Sequence, residues 1–149
     1  MVTLISHSPV ETAALGREWA GTLNHGAIIG LSGDLGAGKT QLVKGIAEGL
    51  GITARVHSPT FSLVNIYKGG RLTLFHLDLY RLESRKQIAA AGLEEYLRPD
   101  GVTVIEWAER WFGDLEPGNE PPVVGPYRQA KIETLSQTER RIVYEDFGA

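Results

Sequence analysis

The spacing of hydrophobic and polar residues in the first half of the chain changes from helical to strand-like and back. A capping signal at Ser8 precedes apolar residues at helical spacing, which predicts a helix over 9–23. The run 27–32 is apolar on both faces, as is typical of a buried parallel strand. A second helical pattern covers 41–50. The first half therefore predicts a helix, a strand, a glycine-rich loop and a helix.

The second half is richer in strand-like segments. Residues 61–67 and 71–79 predict two strands joined by a glycine turn, which makes an antiparallel hairpin. The remaining predicted elements are a helix from Ser84 to about Leu97 broken near Gly92, a buried strand over 102–105, a surface loop over 113–126, and strands within 128–135 and 140–144. Together the patterns predict an α/β fold whose mixed central sheet includes an antiparallel hairpin and is flanked by helices.

Length and composition limit the classes of protein to consider. A chain of 149 residues with 42% hydrophobic and 22% charged residues predicts one globular domain over 1–149. The formal net charge of −3 argues against a strongly basic nucleic-acid-binding protein. No cysteine is present, and neither a leader-like N-terminus nor a long apolar run occurs, so we expect a cytoplasmic protein that does not span a membrane.

The strongest chemical signal is the loop between the predicted buried strand and the second helix. It fits the pattern G-x-x-x-x-G-K-[ST] with Gly33, Asp34, Leu35, Gly36, Ala37, Gly38, Lys39 and Thr40. Glycines let backbone N–H groups approach phosphate oxygens, and the helix N-terminus favours the same negative charge. We expect Lys39 to contact the β- and γ-phosphates and Thr40 to bind Mg²⁺ through its hydroxyl. The sequence therefore predicts a P-loop nucleotide-binding domain.

A P-loop uses a second acidic group, and Glu106 directly follows the predicted strand over 102–105. Its position is compatible with holding Mg²⁺ through a water, with orienting the attacking water, or with both. An acidic residue after a strand is also common without any function. The P-loop is what makes Glu106 a candidate.

Two further segments carry candidate residues. His76 and Asp78 alternate with apolar residues, so they share one face of a strand, and the same period extends to Tyr80. A solvated sheet face would give the same pattern. Ser58 and Thr60 lie between the P-loop helix and the hairpin, where other nucleotide hydrolases have a mobile threonine that senses the γ-phosphate. An ordinary turn is the alternative for this segment.

A basic cluster consists of Arg81, Arg85 and Lys86. It fits a solvated helix start, a lid over phosphates or a docking surface for an acidic partner. No arginine stands in or beside the P-loop in sequence, and the nearest is Arg55. An arginine finger accelerates hydrolysis strongly, so its absence predicts a weak intrinsic ATPase activity. Arg81 is the candidate for a finger supplied from within the chain.

Four segments in this order resemble the TsaE family, also called YjeE, of bacterial ATPases in tRNA threonylcarbamoyladenosine biosynthesis. They are the P-loop at 33–40, Ser-Pro-Thr-Phe at 58–61, His-Leu-Asp-Leu-Tyr-Arg at 76–81 and Ile-Glu-Trp at 105–107. The resemblance extends from about Ser8 to Arg110 and is loose beyond. It implies a small ATPase that works with TsaB and TsaD, which install threonylcarbamoyl on an anticodon-loop adenosine, so that tRNA is engaged through the complex.

The resemblance also implies roles for single residues. Lys39 and Thr40 would bind phosphate and Mg²⁺, Glu106 would complete the metal site, and Asp78 with Thr60 would belong to a switch-like catalytic region.

The same resemblance suggests three more residues near ATP. Thr12 and Arg128 correspond to positions close to the nucleotide, and Gln41 stands where the family often has another threonine.

Two other classes share some of these features. A small-molecule kinase has the same P-loop but needs an acceptor pocket and an arginine-bearing lid. The other class is a non-catalytic or GTP-dependent switch module, but neither N-K-x-D for guanine nor D-x-x-G after a strand occurs. From the residues alone, the prediction is a P-loop hydrolase or kinase.

Overall fold

The computed structural model describes residues 1–34, 36–59, 62–112 and 126–148. Leu35, Thr60 and the predicted loop up to residue 125 lie outside the described residues. No helix among the described residues is long and apolar enough to cross a membrane.

The described residues form one seven-stranded sheet with helices on both faces. Its strands are β1 (Val2–Ser6), β2 (Ile28–Ser32), β3 (Val64–Tyr67), β4 (Leu74–Asp78), β5 (Val102–Glu106), β6 (Tyr127–Thr134) and β7 (Arg140–Phe147). The helices are α1 (Pro9–Ala20), α2 (Lys39–Gly49), α3 (Arg85–Ala90) and α4 (Glu109–Phe112), and a 3₁₀ turn covers Leu93–Leu97.

The sheet is mixed, as the sequence predicts. Its strand order is β1-β7-β6-β2-β5-β4-β3. Strand β2 pairs in parallel with β5 and β6, and β4 pairs in parallel with β5. The predicted hairpin is present as the antiparallel pair β3–β4, and β7 pairs antiparallel with both β6 and β1. The predicted fold class is confirmed.

Several elements differ from the sequence prediction in their bounds. Helix α1 ends at Ala20, before Leu23, and the helix predicted to reach Leu97 is divided at Gly92, which has φ +77°. Strand β1 and helix α4 are not predicted. Strand β1 lies at the sheet edge, where the apolar Val2 and Ile5 are exposed and the polar Ser6 is buried, so its burial does not follow its pattern of apolar residues.

Two apolar layers lie on opposite faces of the sheet. Residues Ile29 and Leu31 of β2 pack with α1 and α2, whereas Ile28 packs with α4 and Tyr127. Helices α1 and α2 approach closely because Gly16 and Gly45 face the partner helix: a Cβ on Gly45 would collide with the carbonyl of Ala13. This packing fixes α2, and with it the P-loop, over the carboxyl ends of β2, β4 and β5.

Candidate active site

The P-loop turns directly from β2 into α2. Gly33 has φ +140°, and a Cβ there would collide with the Ile132 carbonyl of β6, so the close approach requires glycine. Gly38 caps α2 in the left-handed conformation with φ 102° and makes no side-chain cap bond. No side chain at the N-cap therefore occupies the N-terminal amides of α2, which is where the sequence pattern predicts that phosphate binds.

Lys39 is almost fully buried, with 5% of its surface exposed. Its Nζ donates to the carbonyls of Gly33 and Asp34 and lies 3.9 Å from the centre of the Trp107 ring. Burial lowers the pKa of Lys39 below its ordinary value, and the surrounding carboxylates, chiefly Glu106, oppose that shift. The ammonium is thus held in an environment that an anionic phosphate would make more favourable.

Glu106 contacts both α2 and β4 through its carboxylate. The Thr40 hydroxyl donates to the two carboxylate oxygens at 3.0 and 3.1 Å, and His76 Nε2 lies 2.5 Å from Oε2. Glu106 is 3% exposed and His76 is fully buried. The two residues predicted to bind the metal, Thr40 and Glu106, are therefore in direct contact.

Asp78 ends β4 beside Glu106, its neighbour across the parallel strands. Its carboxylate accepts a hydrogen bond from the Ser58 hydroxyl at 2.9 Å and another from the Tyr80 backbone N–H at 2.9 Å. Asp78 is 3% exposed, so the face that it shares with His76 is buried and not solvated. This carboxylate links the segment that leads to Thr60 with the turn after β4.

Trp107 has a backbone conformation that is unusual for a residue with a side chain, with φ +60°. Its ring packs on Tyr80 with centroids 5.0 Å apart, and it supports the Lys39 ammonium on one face. The strained backbone directly after Glu106 turns the indole toward the P-loop, where such outliers often mark functional sites.

A cavity of about 440 Å³ lies over these groups. Its lining consists of Gly36, Ala37, Gly38, Lys39, Thr40, Gln41, Ser58, Asp78, Tyr80, Glu106 and Trp107. The structure thus brings P-loop residues 36–40, Gln41 and both predicted carboxylates together, whereas Gly33 and Asp34 do not line this cavity. Ser58, Tyr80 and Trp107 also line the cavity, and their signal in the sequence is their place next to Thr60, Asp78 and Glu106.

Arg140 contacts the P-loop from the other end of the chain. It donates to the carbonyls of Ala37 at 3.0 Å and Gly36 at 3.3 Å, and its Nη1 donates to Ser136 and Glu139 carbonyls. The sequence has no arginine beside the P-loop, but the fold brings Arg140 into contact with two of its carbonyls. The β1–β7 and β6–β7 pairings place Arg140 here, and nothing in its local sequence indicates it.

Thr12 and Arg128 do not line the cavity over the P-loop. Thr12 is buried and its hydroxyl lies 2.7 Å from the Ser6 hydroxyl. Arg128 forms two hydrogen bonds with Asp146, at 2.6 and 2.9 Å. These bonds hold the pKa of the Asp146 carboxyl below its ordinary value. Their assignment to the nucleotide stays a prediction.

Arg128 also packs against two aromatic rings. Its guanidinium lies 4.2 Å from the centre of the Tyr144 ring and 4.8 Å from that of Trp19. In this position the side chain joins α1 to the hairpin β6–β7, which is a structural contact.

Arg85 of the basic cluster has contacts within the fold. Arg85 donates from Nε to the Trp111 carbonyl and from Nη2 to that of Phe112, so it closes the end of α4. All three residues of the cluster are exposed, Arg85 included. The position of Arg85 is therefore explained by its contacts with α4, without a docking partner.

The chain is similar in sequence to known proteins over the segments that form this site. The sequence profile described as "Threonylcarbamoyl adenosine biosynthesis protein TsaE" matches residues 6–142. The chain belongs to the TsaE family. Members are P-loop NTPase-type proteins of tRNA threonylcarbamoyladenosine biosynthesis, so the resemblance seen in the sequence is confirmed.

Individual TsaE proteins are similar over most of this chain. The chain is 46% identical over 101 residues to the tRNA threonylcarbamoyladenosine biosynthesis protein TsaE of Bacillus subtilis (strain 168), covering 68% of this chain and 63% of that protein. The chain therefore spans less than two thirds of that relative's length. It is 45% identical over 111 residues to TsaE of Treponema pallidum (strain Nichols), covering 74% of this chain and 82% of that protein.

The fold is also similar to a solved structure. The crystal structure of Bacillus subtilis YdiB superposes with a TM-score of 0.77 at 32% sequence identity, over 99% of this chain and 86% of that one.

Proposed function

We propose that this TsaE-family protein binds and hydrolyses Mg-ATP, and that it supports threonylcarbamoyladenosine modification of tRNA together with TsaB and TsaD. The observation that carries the proposal is the contact of Thr40 with Glu106 beneath the P-loop, next to a buried Lys39. Family membership supplies the pathway. tRNA would be engaged through the complex and not by this chain alone.

The P-loop residues would bind the phosphates of ATP. The N-terminal amides of α2 provide donors for phosphate oxygens, and the helix adds a favourable dipole. Lys39 would exchange the Gly33 and Asp34 carbonyls for phosphate oxygens, which compensate its buried charge better than neutral carbonyls do. Arg140 would keep the loop in shape, because it binds two of its carbonyls.

The donor set at Thr40 and Glu106 fits Mg²⁺. A hydroxyl and a carboxylate in contact are hard oxygen ligands, and Mg²⁺ commonly takes one or two protein oxygens with phosphates and waters completing its shell. When bound, the ion would neutralise charge that develops on the phosphate oxygens. Glu106 and Asp78 both line the cavity, so either carboxylate would accept a hydrogen bond from a water bound there.

The reaction type is tested by its products. Steady-state release of phosphate from Mg-ATP, without a phosphorylated acceptor in cell metabolite extract, is the expected result. Transfer of the phosphoryl group to a metabolite would instead identify a small-molecule kinase. Lys39→Ala is the negative control in both assays.

Partner dependence is a separate test. The Arg140 guanidinium binds four backbone carbonyls, so the chain offers no preset finger there, and a slow intrinsic rate is expected. Addition of TsaB and TsaD from the same organism should raise phosphate release at least about tenfold. Equal rates with and without them would contradict partner activation while leaving the P-loop assignment intact.

Docking through the basic cluster is best tested at Lys86. Charge reversal at Arg85 would also break the contacts that close α4, so a loss there would be ambiguous. Lys86→Glu should reduce the stimulation by TsaB and TsaD and leave the basal rate unchanged. Lys68→Glu is the matched control, since Lys68 is exposed in the β3–β4 turn at the end of the hairpin opposite Asp78.

A further inference from the structure

His76 is a fully buried polar residue of β4 to which the proposed mechanism assigns no role. Its Nε2 lies 2.5 Å from Glu106 Oε2. Its Nδ1 is buried and has no hydrogen-bond partner in the part of the chain that the structure describes. Among the described residues, the ring therefore makes its polar contact with the carboxylate under the P-loop.

The contact holds Glu106 from a second element of the fold, in addition to the helix that carries Thr40. A carboxylate only accepts hydrogen bonds, so Nε2 carries the hydrogen and donates it. The Thr40 hydroxyl approaches from α2 and the imidazole from β4, which pairs in parallel with β5. A side chain held by donors on two different elements has little freedom to change its rotamer.

Stability alone does not account for a histidine at this position. A buried ring nitrogen without a partner is unfavourable, and an apolar side chain would avoid that loss. Leu74, two residues earlier on the same face of β4, is such an apolar residue. The bond to Glu106 is thus the feature that distinguishes His76 from an ordinary core residue.

We propose that His76 is a positioning residue that holds the Glu106 carboxylate in the orientation used for Mg²⁺ or for the attacking water. The inference rests on the proposed ATPase function. Outer partners of metal-binding groups commonly contribute 10- to 100-fold to metal affinity or activity. Loss of His76 should therefore lower kcat by about 10- to 100-fold and raise the Mg²⁺ concentration needed for half-maximal activity. The KM for ATP should change little, because the P-loop makes the phosphate contacts.

The decisive experiment compares His76→Gln with His76→Asn. The glutamine amide nitrogen reaches about as far as Nε2 and can donate to Glu106, whereas the asparagine amide lies near the position of Nδ1 and falls short. We expect His76→Gln to retain most of the wild-type kcat and Mg²⁺ response, and His76→Asn to lose them. Both variants change the packing of the ring, so a purely structural role would affect them alike.

Thr103→Val is the matched control for a damaged core. Thr103 is fully buried on β5, and its hydroxyl donates to the Tyr96 carbonyl at 2.6 Å, away from the cavity. It should lower the melting temperature without changing kcat or the Mg²⁺ response.

Each outcome of this experiment bears on one of the two claims. Equal kcat and equal Mg²⁺ response for wild type, His76→Gln and His76→Asn would overturn the positioning role, as would equal losses in both variants. A wild-type protein that binds Mg-ATP but releases no phosphate, alone or with TsaB and TsaD, would overturn the proposed function itself. Mg²⁺-dependent binding of ATP, followed by calorimetry, then tests His76 without turnover: a weaker Mg²⁺ dependence in His76→Asn than in His76→Gln supports the inference.

Discussion

Two regions of the sheet contact the P-loop with different chemistry. The carboxyl ends of β4 and β5 present the buried side chains of Asp78 and Glu106, and Glu106 binds the first turn of α2 through Thr40. The hairpin β6–β7 presents Arg140, which binds the carbonyls of Gly36 and Ala37 and lies partly exposed. The carboxylates of β4 and β5 therefore provide hydrogen-bond acceptors that face the cavity, whereas Arg140 of the hairpin donates to the backbone of the P-loop.

The two regions are expected to affect different steps, catalysis in one case and the conformation of the P-loop in the other. Buried carboxylates next to the cavity can orient a metal ion or a water, so their removal should act on turnover. Arg140 contacts main-chain carbonyls, so its removal should act on the conformation that receives phosphate, and hence on affinity. A variant that lowers turnover alone or affinity alone would support this division of roles, and a variant that changes both would contradict it.

The largest effect is expected where the two regions meet, at Lys39. Lys39→Ala removes a charge-assisted contact to phosphate worth about 1.5–3 kcal/mol in binding, and more in the transition state. We expect ATP binding to weaken at least about tenfold and hydrolysis to be lost. Lys44→Ala, an exposed lysine of the same helix, is the matched control. Unchanged hydrolysis by folded Lys39→Ala would refute the site.

The second effect concerns the carboxylate region alone. Glu106→Gln keeps the shape of the side chain but weakens its interaction with Mg²⁺ and water, so kcat should fall on the order of 100-fold while ATP still binds. Phosphate release and calorimetry measure the two quantities. If Asp78→Asn abolishes turnover and Glu106→Gln does not, the roles of these carboxylates are reversed.

The third effect tests the hairpin with two of its arginines. Arg140→Ala removes the bonds to Gly36 and Ala37 and should weaken ATP binding about tenfold with little change in kcat. Arg128→Ala should lower the free energy of unfolding by about 1 kcal/mol through loss of its ring and Asp146 contacts, and leave ATP affinity unchanged.

Both hairpin variants have outcomes that would contradict this interpretation. A large fall in kcat for Arg140→Ala at unchanged affinity would place that arginine with the reacting groups. Weaker ATP binding by Arg128→Ala would support the sequence-based assignment of Arg128 to the nucleotide. Thermal unfolding and calorimetry on the same samples distinguish these cases.

The same two regions differ in how far the sequence predicts them. The P-loop has a local pattern, and Glu106 follows a buried strand, so both are evident without a structure. Alternation along β4 predicts that His76 and Asp78 share one face of the strand. It does not predict that β5 is the neighbouring strand. The contact of His76 with Glu106 depends on that pairing.

The hairpin region depends on long-range register throughout. Arg140 reaches the P-loop because β7 lies between β6 and β1, and β1 is an exposed edge strand whose pattern is weak. Arg128 is predicted near the nucleotide from a loose resemblance, whereas the structure pairs it with Asp146. Register of this kind is set by the packed sheet and has no signature in a short stretch of residues.

The smallest expected effect is a pH dependence that originates in Lys39. Burial lowers its pKa, so the folded, nucleotide-free protein holds fewer protons than the unfolded chain between that lowered pKa and 10.5. Over that window the free energy of unfolding should rise with pH because of this group. ATP should show the opposite trend, since phosphate charge favours protonated Lys39 and binding therefore weakens as the lysine loses its proton.

Calorimetric titrations of Mg-ATP from pH 7.5 to 9 test the trend, because the phosphates are already fully ionised at the lower limit. We expect the dissociation constant to rise across this range in wild type. Lys39→Arg carries a guanidinium that stays protonated throughout, so the affinity that remains in this variant should not vary with pH. A constant affinity in wild type would show that Lys39 keeps its charge in this range, and an equal slope in both proteins would assign the titration to another group.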